Sequence, residues 1–174
     1  MSLGQEQKYS GILDLVGNTP LVELKNISPT RGVSIFAKLE GQNPTGSLKD
    51  RIAKNMIERA EERGDIEQGC TLLEPTSGNT GISLAFVGRQ KGYKVTVVMP
   101  DNVSQERSQL LTAYGAKIIY SEGKLGSNGA VAMAHKIMKE SPVGRYSMLY
   151  QYGNADNPGA HYKETGAEIV RDLP

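Results

Sequence analysis

Thr71-Leu-Leu-Glu-Pro-Thr-Ser-Gly-Asn-Thr-Gly-Ile-Ser-Leu-Ala-Phe-Val-Gly-Arg-Gln90 reads as strand, loop and helix in one unbroken run. Residues 71–74 form a short apolar strand that Pro75 stops. Residues 80–90 carry Ile82, Leu84, Ala85 and Val87 as an apolar helix, with Gly92 near its end. Downstream the unit repeats. Lys94-Val-Thr-Val-Val-Met99 is almost continuously hydrophobic, as a parallel strand buried on both faces should be, and Pro100 ends it. Ser104 caps a helix carrying Leu110 and Leu111, closed by Gly115. Residues 117–120 are the next strand. Ser127 opens a helix through Val131, Ala134, Ile137 and Met138. Residues 147–150 are another strand, and 159–170 a last helix. Alternating β and α units predict an α/β fold: a parallel sheet with right-handed crossovers, flanked by helices on both faces. Ligands of such sheets lie at the carboxyl ends of the strands. The loops after Glu74 and after Tyr150 both fall there.

Upstream, Gly17-Asn-Thr-Pro20 is a breaker cluster, 21–24 a short strand and 33–40 a half-buried strand with Val33, Ile35, Ala37 and Leu39 on one face. Then comes Asn43-Pro-Thr-Gly-Ser-Leu-Lys-Asp-Arg51. Leu48, Ile52, Met56, Ile57 and Ala60 recur at helical spacing beyond it. Lys54, Glu58, Arg59, Glu61 and Glu62 take the other face, and Gly64 is a natural C-cap. Ser47 is suited to cap this helix, with Asp50 as a weak capping-box partner. That places Lys49 in the first turn, where the positive end of the helix dipole disfavours a cation and favours the nucleophilic amine. Position alone leaves a solvated surface lysine as the alternative.

Bulk properties narrow the function. The 174 residues suffice for one core-bearing domain, or one and a piece. The net charge is +1 and the basic residues are interleaved with acidic ones, which argues against nucleic acid as a partner. No apolar run approaches the ~18 residues of a membrane span. The single cysteine, Cys70, excludes an internal disulfide, belongs in or near the core, and fits a reducing, cytoplasmic location.

The 76–80 segment, Thr-Ser-Gly-Asn-Thr, joins a strand end to a helix start. Its backbone N–H groups and small hydroxyls make a cradle for a carboxylate or one phosphate, with the helix dipole assisting and no cation within it. Gly78 and Gly81 allow close approach to the backbone. By itself the segment could also be a well-capped turn. Other chemistries fail. Gly41 to Gly46 has P-loop spacing, but Ser47 and Leu48 stand where Lys and Ser/Thr are needed. No G-x-G-x-x-G follows a strand. His135, assigned to a helix surface, and His161, assigned a structural place, lack metal-ligand spacing with Cys70. No G-x-S-x-G elbow is present.

These residues carry a resemblance. Gly17-Asn-Thr-Pro-Leu21, the lysine loop 43–51, Glu74-Pro-Thr-Ser-Gly-Asn-Thr-Gly-Ile-Ser83 and Tyr150-Gln-Tyr-Gly-Asn154 followed by His161-Tyr162 resemble the cysteine synthases. These are fold-type-II pyridoxal 5'-phosphate enzymes of the β-substitution group that includes cystathionine β-synthase. The Lys-Asp-Arg form of the lysine loop is most similar to the B-type enzymes, which use O-acetylserine or O-phosphoserine. The resemblance implies that Lys49 holds the cofactor and then removes the substrate α-proton. Asn79 would hydrogen-bond the cofactor's ring oxygen. Thr76, Ser77, Gly78, Asn79 and Thr80 would bind the substrate carboxylate, with Gln151 helping. A sulfur donor would be the second substrate, and the parent a homodimer.

Family members are longer, and their glycine-rich phosphate cup lies beyond the point where this sequence stops. The resemblance therefore implies an N-terminal fragment, inactive or nearly so by itself. Residues 1–10 read as a leader and 11–42 as a segment that packs with the absent larger domain. Residues 43–156 form the small α/β domain, and 157–174 a helix returning toward the absent half. A non-catalytic module binding amino acids or carboxylates is the alternative outside enzymology. Cystathionine β-synthase-like β-replacement is the alternative within the group; the form of both loops argues against a dehydratase or threonine synthase.

Overall fold

The computed structural model describes residues 9–174. Most of the expected leader therefore lies outside the described residues. The centre is a four-stranded parallel sheet of β3 (Thr71–Pro75), β4 (Lys94–Pro100), β5 (Lys117–Ser121) and β6 (Tyr146–Ser147), in the order β5-β4-β3-β6. Between these strands run α2 (Asn79–Gln90), α3 (Gln105–Ala113) and α4 (Gly126–Glu140), and α1 (Lys49–Arg63) precedes the sheet. Upstream, β1 (Leu21–Glu23) and β2 (Phe36–Lys38) pair antiparallel as a separate ribbon. The strand expected over 33–40 is thus realised only at its centre.

Alternation along each strand sends neighbours to opposite faces. Leu72, Val95 and Val97 pack with Ile52, Met56 and Ile57 of α1, Leu84 and Val87 of α2, and Leu111 of α3. Leu73 and Val98 face the other way, onto Ala130 and Ala134 of α4. Helices therefore cover both faces, and β4 is buried along its length except for Lys94. Each fully buried Leu or Ile contributes roughly 1.5–3 kcal/mol through removal of apolar surface from water. Cys70 packs in the larger cluster, as expected. Gly64 ends α1 in the left-handed region at φ 73°, its N–H returning to the Ala60 and Glu61 carbonyls.

Two expected elements differ. The strand at 147–150 shrinks to β6, because pairing with β3 stops at Leu72↔Ser147 and Tyr150 turns away with φ 56°. The helix expected over 159–170 starts earlier and is interrupted: α5 (Asp156–Ala160), a π-helical turn (His161–Thr165), then α6 (Gly166–Asp172). Pro158 marks no boundary, since it sits in the first turn where its missing N–H has no partner to lose.

Candidate active site

Lys49 opens α1, and the 76–80 loop opens α2. The two helices pack side by side in the larger core cluster, on the same face of the sheet. Ser47 Oγ accepts the Lys49 N–H at 3.1 Å, one residue before the assigned cap at Leu48. The expected capping-box role of Asp50 does not occur. Its carboxylate instead accepts the Thr45 N–H at 2.7 Å, the Thr45 hydroxyl at 2.5 Å and the Ser83 hydroxyl at 2.6 Å. A fully buried carboxylate needs several donors, and these satisfy it better than one N–H at a helix end. The Asp50–Ser83 bond joins the first turn of α1 to a point one turn beyond Asn79.

Lys49 and Arg51 meet opposite fates two residues apart. The Arg51 guanidinium is fully buried. Its Nε and Nη2 each donate to Glu40 at 2.8 Å, and Nη1 and Nη2 donate to Glu168 at 2.7 and 2.8 Å. Lys38 Nζ adds a 2.6 Å ion pair to Glu168 and also donates to the Thr19 carbonyl. Burial opposes the Glu168 charge, but hydrogen bonds from Arg51, Lys38 and the Asn18 N–H outweigh it and hold the carboxyl at about 2. The group ties the ribbon, α1 and α6 into one knot. The half-buried Lys49 amine has neither hydrogen-bond acceptor nor ion-pair partner among the described residues.

At the strand ends, Thr76 extends the ladder by donating its N–H to the Val98 carbonyl at 2.9 Å, then turns into the loop. Its hydroxyl lies 3.4 Å from the Gly78 N–H. A side chain on Gly78 would meet nothing within 4 Å, so the space above it is open. Gly81 does different work from that expected: a Cβ there would lie 2.9 Å from the Thr76 methyl, so the glycine lets the helix close on its own loop. Ser77 is half-buried, Asn79 exposed. Although the segment itself lacks a cation, Arg107 of α3 donates to the Ser77 carbonyl at 3.1 Å. Gln151 arrives from the other loop, its Oε1 accepting the Thr80 hydroxyl at 2.8 Å.

Sequence reasoning missed the residue that seats Gln151. Glu74 is 1% exposed at the end of β3, and its carboxylate accepts the N–H groups of Tyr150 at 2.9 Å and Gln151 at 2.8 Å. A carboxylate immediately before the cradle was the available signal. His161 is half-buried in the π turn, Nδ1 lying 3.1 Å from Thr165 Oγ1. Burial, then the nearby Lys49 and Arg51 cations, push its imidazole below the ordinary value. His135 is exposed, packing edge-on against Tyr150. Among the described residues no group of three or more His, Cys, Asp or Glu could hold a metal ion. No helix among them is long and apolar enough to cross a membrane.

Residues 12–174 match the family described as "Pyridoxal-phosphate dependent enzyme". The chain belongs to this family. Cysteine synthase B of Pseudomonas aeruginosa is 51% identical to this pyridoxal-phosphate-dependent family member over 93% of the chain and 53% of the relative. Cysteine synthase B of Escherichia coli is 48% identical over 88% of the chain and 50% of the relative. A Pseudomonas syringae protein of the same name is 49% identical over 94% of the chain and 95% of its own length. Apart from such a short relative, the chain spans about half the length of the curated proteins it matches. Among solved structures, cysteine synthase of Entamoeba histolytica superposes with a TM-score of 0.90 at 41% identity, over 99% of this chain and 52% of that one. An O-ureido-L-serine synthase does so with 0.89 at 38%, over 95% and 51%. The donor set at the strand ends fits the family's cofactor chemically: an amine without an acid partner, an exposed amide, three hydroxyls and open space above a glycine.

Proposed function

We propose that this chain supplies the lysine and the carboxylate cradle of a cysteine synthase. The reaction replaces the acetate or phosphate leaving group of an activated L-serine with a sulfur nucleophile, giving L-cysteine. The carrying observation is the Lys49 amine, half-buried at a helix start with no acidic partner among the described residues, while Arg51 two positions on is saturated with carboxylates. A lysine paired like Arg51 could not act as nucleophile or base.

Lys49 would hold pyridoxal 5'-phosphate, and its Nζ is placed to take the substrate α-proton. When bound, that cofactor supplies the electron sink that makes the α-proton acidic and lets the β-substituent leave. Asn79 would hydrogen-bond the cofactor's ring oxygen. Thr76, Ser77, Gly78 and Thr80 hold the substrate carboxylate through main-chain N–H groups and hydroxyls at the start of α2, and Gln151 closes the other side. This orients the α-C–H bond toward Lys49 and the β-carbon toward the incoming sulfur. We assign residues 43–156 to this half of the active site, and place the protein in the cytoplasm as a homodimer.

The test is L-cysteine formation from O-acetyl-L-serine or O-phospho-L-serine with sulfide, using the protein expressed from its natural gene. Activity is expected with one or both, and Lys49→Ala is expected to reduce it to background. Undiminished activity in Lys49→Ala would overturn the reading.

A further inference from the structure

Pairing of β6 with β3 ends at Leu72↔Ser147. A parallel ladder continuing past this point would give the backbone N–H groups near residue 150 carbonyl partners on β3. The chain turns away instead, Tyr150 adopting φ 56°, a conformation costly for a side-chain-bearing residue. Two adjacent N–H groups are left pointing at the sheet end. Glu74 supplies one carboxylate oxygen to each. Gln151 is then held at three points: its N–H by Glu74, its side-chain oxygen by the Thr80 hydroxyl, and its carbonyl by Asn157 Nδ2 at 3.0 Å.

We propose that Glu74 is a positioning residue: its carboxylate clamps the Tyr150–Gln151 turn against the 76–80 loop and so fixes the Gln151 amide at the amino-acid site. This rests on the reading of Thr80 and Gln151 as carboxylate-binding residues. The clamp acts through Gln151 and does not touch the substrate.

The clamp depends on charge. Glu74 has no cation bonded to it among the described residues, so two main-chain dipoles alone stabilise the anion. Burial pushes its carboxyl up to about 7, against the pull of the Gln151 and Tyr150 N–H groups. The groups around it are few. Val97 lies opposite on β4, and α2 presents the uncharged Thr80 through Gln151. The turn itself contributes Tyr150 and Tyr152, the latter pushed up by its own burial and then by Glu74. From α4, His135 packs edge-on against the Tyr150 ring at 5.4 Å. Protonation turns one accepting oxygen into a hydroxyl that faces an N–H, and that bond weakens.

The test is a pH titration of backbone amide resonances from 5.5 to 8.5. The Tyr150 and Gln151 amides are expected to move downfield together with a midpoint near 7. The movement disappears in Glu74→Gln and survives in His135→Phe. The wild-type titration needs no variant, so a Glu74→Gln chain that fails to fold leaves it decisive. In parallel, calorimetry with L-serine should show affinity falling about tenfold from pH 8 to pH 6 in the wild type and staying flat in Glu74→Gln. Amides that do not move, or L-serine affinity independent of pH in the wild type, would overturn the clamp. Amides that titrate while L-serine binds at no pH would support the clamp and sink the assignment of the amino-acid site instead.

Discussion

Glu168 and Glu74 are both buried, yet their carboxyls sit at about 2 and about 7. Glu168 lies in a knot with Arg51 and Lys38. Glu74 lies at a strand end with only main-chain N–H partners. Burial acts against ionisation in both, and the presence of cations decides the outcome. The knot is a fastener whose charges cancel. The strand end keeps a carboxylate with no cation bonded to it among the described residues, an arrangement that suits chemistry better than stability.

The largest expected effect comes from breaking the knot. Arg51→Met leaves the buried Glu168 and the half-buried Glu40 without their main partner and should cost about 3–5 kcal/mol in urea unfolding at pH 7. A loss under 1 kcal/mol would mean that the knot is ornamental. Glu168→Gln tests the same region through pH. The Glu168 carboxyl lies below the usual glutamate value of 4.5, so its contribution is present above 4.5 and lost as pH falls through about 2. The variant's unfolding free energy should therefore drop less than the wild type's between pH 5 and 2.

Glu74→Gln probes the opposite sign. The folded carboxyl, at about 7, keeps its proton over the window from 4.5 to 7, where the unfolded chain has released it. Its contribution is full below 4.5, declines as pH rises to about 7 and is flat above. The span is on the order of 3 kcal/mol at most. The variant should lose this decline while losing one N–H bond worth about 1–3 kcal/mol. Parallel wild-type and variant curves between pH 5 and 7 would erase the contrast between the two carboxylates.

The sequence made the sheet-and-helix alternation plain because it is written in local patterns. The α1 stripe of Ile52, Met56, Ile57 and Ala60, the continuous run in β4 and the stops at Gly64 and Pro100 each state their structure within a few residues. The Lys49 and Thr76–Thr80 loops were legible for the same reason. What escaped notice depends on distant partners. Arg51 meets a carboxylate 117 positions away, and Glu74 meets an N–H 76 positions away. Neither pairing leaves a periodic trace. Beyond the point where β6 stops pairing, the Glu74 side chain accepts the N–H groups of Tyr150 and Gln151. The π turn at His161–Thr165 adds one residue to a helical turn and is invisible to a count at helical spacing.

Which amine is chemically available decides whether Lys49 holds the cofactor. The decisive measurement is to mix the purified protein with pyridoxal 5'-phosphate, fix the adduct with borohydride, and map the labelled peptide by mass spectrometry. The predicted result is one dominant label on Lys49, at the junction of α1 and the 76–80 loop. Label spread over exposed lysines such as Lys136, with Lys49 unmodified, would contradict it.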